Sequence, residues 1–169
     1  MKTAVIIAVA GFLVVPCAGS IPSASAQAPA APPPSTQPEP YQPPVGQPGK
    51  DVVWVPSPES MVEKALDLAA ITPSDYVIDL GSGDGRNVIS AARRGAHALG
   101  VEFNPDLVQL SKDNAAKAGV ADKAEFVQGD MFEADISKAT VMALFLLPDN
   151  LKRLRTKLFE LRPGARIVA

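Results

Sequence analysis

The sequence predicts an α/β fold, a doubly wound and mainly parallel sheet, and three observations carry that prediction. From residue 51 onward, short apolar runs alternate with stretches of helical periodicity. The first run, Tyr76 to Leu80, ends in VIDLGSGDGR, whose three glycines fall within five residues just before a helix begins. The next two runs finish on or beside an acid, at Glu102 and at Gly129-Asp130-Met131. Such alternation builds right-handed βαβ units, and ligands of the resulting sheets bind beyond the carboxyl ends of the strands, where strand order reverses.

Each element has its own local signal. Ser57-Pro58-Glu59 reads as a helix start, with a capping hydroxyl, proline at the first helical position and an acid in the first turn. Met61, Val62, Ala65, Leu66 and Ala69 follow at helical spacing, and Thr72-Pro73-Ser74-Asp75 stops that helix. Tyr76 to Leu80 is the first strand of the alternating part. Arg86 to Arg94 is predicted helical and ends at Gly95. His97 to Glu102 is a strand, and Asn104-Pro105-Asp106 starts a helix that runs to Ala118. Ala124 to Gln128 and the longer run Thr140 to Leu147 are predicted strands. Asp149 to Leu161 is predicted as a helix capped by Asp149, with Leu151, Leu154, Leu158 and Leu161 on one face. Ala165 to Ala169 begins a fifth strand, whose uncovered apolar edge would be an aggregation hazard and predicts that the chain is truncated there.

Charge divides the chain. Residues 1–50 carry only Lys2, Glu39 and Lys50, while 51–169 carry 14 Lys/Arg and 17 Asp/Glu. The domain is therefore expected over 51–169, and its near-neutral balance does not point to nucleic acid held by bulk charge. Residues 1–26 read as a signal peptide: Lys2, the apolar run Ala4 to Val15, then Ala24-Ser25-Ala26 as cleavage site. The run is short for a membrane span, which leaves an uncleaved anchor as the alternative, and then the only membrane contact. Pro16 fits a lipidation box at Cys17 poorly, and Cys17, the only cysteine, would leave with the leader. Residues 27–50, with nine prolines from Pro29 to Pro48, read as a disordered linker. The expected location is periplasmic or extracellular.

The strand ends define the chemistry. Asp79 precedes the loop Gly81-Ser82-Gly83-Asp84-Gly85, Glu102 follows Gly85 by seventeen residues, and Asp130 ends the third strand. Bare backbone allows close approach, Glu102 can accept both hydroxyls of a ribose, and Asp130 can accept from an exocyclic amine. A dinucleotide oxidoreductase is the rival, but the third glycine comes one residue early for G-x-G-x-x-G. Asp79 and Asp84 would also repel a pyrophosphate, whereas an amine or sulfonium would welcome them. The bland alternatives are turn-capping for Asp79 and Asp130, a solvated strand end for Glu102, and a solvated helix face for Lys152, Arg153, Arg155 and Lys157. His97 opens a strand and reads as structural. No residue spacing suits a metal site or an acyl-transfer triad.

VIDLGSGDGR, Glu102 and the run GDMFEAD from Gly129 resemble class I S-adenosylmethionine-dependent methyltransferases, with their Rossmann-like fold. Asp51 to Pro58 (DVVWVPSP) and Leu144 to Pro148 (LFLLP) are similar to a bacterial branch related to mitochondrial protein-lysine methyltransferases. The resemblance implies S-adenosylmethionine as cofactor and a methyl acceptor that could be a protein lysine. It implies that Asp79, Gly81, Ser82, Gly83 and Gly85 lie along the methionine moiety, that Glu102 holds the ribose, and that Asp130 and Met131 face adenine. Phe145, Leu146, Leu147 and Pro148 would border the transfer site, and Trp54 to Ser57 would close over the cofactor. No single catalytic residue is implied. The family commonly has tyrosine where Phe145 stands, and relatives continue through further strands. A non-catalytic S-adenosylmethionine or nucleoside binder therefore stays open beside the enzyme.

Overall fold

A parallel sheet of five strands in the order β5-β4-β3-β6-β7 organises the domain. The computed structural model describes residues 41–51 and 53–169, so the leader expected in 1–26 and the linker from 27 to 40 lie outside the described residues. The elements are β1 (Gln47–Pro48), β2 (Val53–Trp54), α1 (Glu59–Leu68), β3 (Tyr76–Leu80), α2 (Arg86–Arg93), β4 (His97–Glu102), α3 (Pro105–Lys117), β5 (Ala124–Gln128), β6 (Val141–Ala143), α4 (Pro148–Phe159) and β7 (Arg166–Val168). The chain builds outward from β3 through β4 to β5, then returns to β3's other side with β6 and β7. Strand order reverses at β3, so the loop after it opens onto the switch point.

The pleat of β3 explains the two cores. Val77 faces a cluster with Val62 and Leu66 of α1, Val88 of α2 and Val108 of α3. Its neighbours Ile78 and Leu80 face the other side, with Val101, Met142, Leu144 and Leu154 of α4. A slip of one residue would exchange these sets, so the register Ile78↔Met142 and Ile78↔Leu99 is fixed by burial on both faces. Each such fully buried side chain contributes roughly 1.5–3 kcal/mol.

Four expectations differ from the structure, each for a tertiary reason. Residues 47–50 are not linker: β1 pairs antiparallel with β2, Gln47 opposite Trp54, and this hairpin belongs to the folded part. Pro58, not Ser57, is the N-cap of α1 and no side chain caps it; the Ser57 carbonyl accepts from the Arg86 guanidinium. The strand expected over 140–147 is shorter, Val141–Ala143: Leu144 N–H still donates to Val168 at 2.9 Å, but from Phe145 onward the run has passed the end of β3 at Leu80 and lines the cleft instead. Asp149 does not cap α4; the N-cap is Leu147, and Asp149 pairs on the surface with Lys152.

Asn104 does cap α3, accepting from Asp106 N–H at 2.9 Å. At the amino end of β3, Asp75 accepts from Thr140 Oγ1, from Thr72 and from the Arg166 guanidinium, tying β3, β6 and β7 together.

Candidate functional site

The glycine loop forms the floor of a cleft of about 440 Å³ beyond the carboxyl ends of β3 and β4. Asp79, Gly81, Ser82, Gly83, Glu102, Asp130, Met131, Phe145, Leu146 and Leu147 all line it, so three strand tips and the segment after β6 meet in one place. Gly85 and Pro148 do not line it. Gly85 is the N-cap of α2 at φ 85°, and a Cβ there would come within 2.8 Å of the Phe126 ring. Pro148 opens α4.

The glycines answer to the protein before any ligand. Gly83 has φ 56°, and a Cβ on it would stand 2.8 Å from Trp54 Nε1, so the hairpin's indole lies on its backbone. Four of the loop's five amides are also spoken for. Gly81 and Ser82 N–H donate to the Val101 carbonyl, Gly85 N–H to the Ser82 carbonyl, and Gly83 N–H to Glu102 Oε2 at 2.9 Å. An anion cradle needs free N–H groups aimed at the ligand. This loop instead presents carboxylates.

Those carboxylates are not alike. Glu102 spends one contact of each oxygen on backbone, Oε2 on Gly83 and Oε1 on Asn104 N–H, and so fixes the loop against β4. Asp84 is neutralised by Arg86 through two contacts of 2.9 and 2.5 Å. Asp130 accepts from Phe132 N–H and from Lys50, which hold its carboxyl below the usual range, Lys50 foremost. Asp79 is 2 % exposed and accepts one described hydrogen bond, from Asn87 Nδ2 at 3.0 Å. Burial pushes its carboxyl up to about 8; Asn87 opposes the shift, and Glu102 and Asp84 add to it. A buried carboxyl so starved of positive charge suits a ligand that brings a cation.

Several residues that matter here escaped the sequence reading. Asn87 steadies Asp79, Ser111 Oγ donates to the Gly83 carbonyl at 2.8 Å, and Asn114 donates to the Asp84 carbonyl. A polar residue on the buried stripe of a helix was the available signal for Asn87 and Ser111. Ser82 Oγ is buried without a partner among the described residues and lies toward Gly100. Arg153 and Lys157 are not merely a solvated face. Arg153 lies 3.6 Å from the Phe132 ring centroid and pairs with Asp51, and Lys157 donates to the Phe132 and Ala134 carbonyls.

A switch-point cleft with a glycine loop, a deeply buried carboxyl and acids at successive strand tips is the architecture of an S-adenosylmethionine-dependent methyltransferase of class I. Known proteins agree on the family: residues 79–169 match the model of the ANTKMT methyltransferase domain, and the chain belongs to that family. It is 43% identical over 121 residues to a protein-lysine N-methyltransferase of Saccharolobus islandicus, covering 70% of this chain and 75% of that protein. It is 37% identical over 120 residues to the mouse adenine nucleotide translocase lysine N-methyltransferase, covering 70% of this chain. The match takes in only 52% of the mouse protein, so the chain spans about half the length of that relative. Among solved structures, it resembles one described as an RNA methyltransferase from Salinibacter ruber in complex with S-adenosylhomocysteine. That likeness has 54% identity and a TM-score of 0.66, and covers 67% of this chain and 75% of the other. A Geobacter sulfurreducens methyltransferase, also bound to S-adenosylhomocysteine, gives 28% identity and a TM-score of 0.57 over 66% of this chain and 47% of its own.

Proposed function

We propose that this chain methylates the side-chain amine of a protein lysine with S-adenosylmethionine. The observation that carries the reading is a contrast within one cleft: a buried carboxyl with no cationic partner among the described residues, and an apolar mouth beside it. Asp79 would take the amino group of the methionine moiety, with Gly81, Ser82 and Gly83 alongside. Glu102 would take the ribose hydroxyls on its remaining lone pairs, and Asp130 with Met131 the adenine. When bound, S-adenosylmethionine supplies an electrophilic methyl on a positively charged sulfur.

The chain's own contribution is placement and dryness. Leu146 lies against Gly81, Trp54 against Gly83, and Phe145 and Leu147 stand half exposed beyond them. These side chains carry no titrating group, so they cannot take a proton from the acceptor. Their apolar surroundings favour the uncharged form of an entering amine, and the proton leaves to solvent first. A slender aliphatic stem with a terminal amine suits such a mouth.

RNA as acceptor, the description attached to the Salinibacter ruber structure, is less well supported. Nucleic acids are held by cations free to meet phosphates. Here Arg86, Arg94, Arg153 and Arg166 are each paired with carboxylates, and the net charge is −2. The leader read in residues 1–26 would carry the activity beyond the inner membrane. Cell fractionation and amino-terminal sequencing, with a mature chain expected to begin at Gln27, test that part.

The decisive experiment incubates the full chain with methyl-labelled S-adenosylmethionine, cell-envelope protein and total RNA. Methyl-lysine found by mass spectrometry supports the proposal. Label in RNA alone overturns it in favour of the rival acceptor, and cofactor binding without transfer to either favours a non-catalytic binder.

A further inference from the structure

We propose that Lys50 is a latch on the purine end of the cleft, its ammonium holding the place of the adenine ring until the cofactor displaces it. The inference rests on the reading of the cleft as an S-adenosylmethionine site. Two groups there suit a purine. Phe103 directly follows the ribose acceptor Glu102, lines the cleft and is 48% exposed, a flat apolar face on which a base can stack. Asp130 offers a carboxylate to an exocyclic amine. Lys50 uses both: its Nζ stands 5.0 Å from the Phe103 ring centroid and donates to Asp130 Oδ2. A purine stacked on Phe103 and bonded to Asp130 needs the same space and the same lone pairs.

The hairpin explains how the ammonium is held there. Lys50 lies between β1 and β2, whose register is closed by Gly46 N–H donating to the Trp54 carbonyl at 2.8 Å. On one side Asp51 pairs with Arg153 at 2.9 Å, and Arg153 is itself seated on the Phe132 ring. On the other side Trp54 lies on Gly83. Both flanks are therefore anchored by contacts that a purine does not need, and only the tip of Lys50 has to swing away. Its side chain is 44% exposed, so water can receive it. An ion pair this open is weak, and the latch is a bias on affinity, not a block. The apparent dissociation constant is the intrinsic one divided by the fraction of molecules with the latch open.

The test is calorimetric titration of the full chain and its Lys50→Met variant with S-adenosylhomocysteine and with adenosine. Trp54, the only tryptophan, reports the hairpin by its fluorescence. The latch predicts that Lys50→Met binds both ligands about threefold to tenfold more tightly, with Trp54 emission unchanged, while Lys50→Arg stays near the parent. In an Asp130→Asn background, where the latch keeps only its contact with Phe103, adding Lys50→Met should tighten binding less than it does in the parent. Equal or weaker binding by Lys50→Met, where the parent binds, overturns the latch alone. A parent that binds neither S-adenosylmethionine nor S-adenosylhomocysteine overturns the cofactor reading and the latch with it.

Discussion

Two aspartates, one just before β3 and one within it, are both nearly closed to solvent, yet they behave in opposite ways. Asp75, just before β3, is 6% exposed, and Asp79, inside it, is 2% exposed. Burial raises the carboxyl of Asp75, but Thr140, Thr72 and Arg166 together outweigh it and hold it below the usual range. Asp79 lies deeper in the protein and has Asn87 alone against that burial, with Glu102 and Asp84 adding to the rise. Low exposure alone is thus no guide to role. A carboxyl saturated with donors holds strands together; one with few donors is the better candidate to meet a ligand's charge.

Removing Asp75 should produce the largest effect, and it should be on folding. Asp75→Ala leaves Arg166 and Thr140 facing an empty pocket and costs about 3 kcal/mol. Chemical denaturation measures this loss. Cofactor affinity of the folded fraction, read by calorimetry, should stay within about twofold of the parent, because Asp75 lies at the opposite end of β3 from the cleft. A large loss of affinity without loss of stability would break the comparison.

Asp79→Asn should do the reverse. S-Adenosylmethionine binding should weaken about 30- to 100-fold, as a charged hydrogen bond is worth about 1.5–3 kcal/mol, while stability holds or rises. The pH dependences sharpen the contrast. The folded pKa of Asp75 lies below its ordinary 3.8, so its contribution is present above 3.8 and is lost as pH falls through the lower folded value. The folded pKa of Asp79 is raised, so its contribution is present below 3.8 and is lost as pH rises toward about 8. Thermal melts of the ligand-free protein should decline across that interval, and Asp79→Asn should flatten the decline. Since an ammonium needs the ionised carboxylate, affinity should rise with pH up to about 8, with proton release visible as a buffer-dependent binding heat.

The difference between the two aspartates was only half legible beforehand. Alternating apolar runs located every strand of the main sheet, since each buries a face at period two or both faces at once. The glycine loop and the acids at Glu102 and Asp130 marked the correct ends of those strands. What local pattern cannot carry is the partner across space. Nothing near Asp75 announces Arg166, ninety-one residues away. Nothing in a proline-rich stretch announces that Lys50 meets Asp130, or that Trp54 is why Gly83 lacks a side chain. The apolar run to Leu147 looked like one long strand because hydrophobicity is shared by a sheet interior and by the wall of a cleft.

The smallest expected effects lie at the mouth, where neither aspartate reaches. Phe145 is 38% exposed, so Phe145→Ala should alter stability by no more than about 0.5 kcal/mol. It should leave cofactor affinity unchanged while lowering the transfer rate about tenfold, because the ring excludes water and narrows the path of the amine. Phe145→Tyr returns a hydroxyl to the position and supplies an oxygen that can accept from an entering amine. That gain should be a few-fold in kcat/KM, larger at lower pH where more acceptor arrives protonated. Steady-state rates measured against pH for the parent and both variants check this. A Phe145→Ala variant that bound cofactor poorly, or a Phe145→Tyr variant that transferred no faster at any pH, would show that the mouth is wall to the cofactor and not a passage for the acceptor. The division between a charged end and an apolar end of the cleft would then have to be drawn elsewhere, most simply at Leu147 and the start of α4.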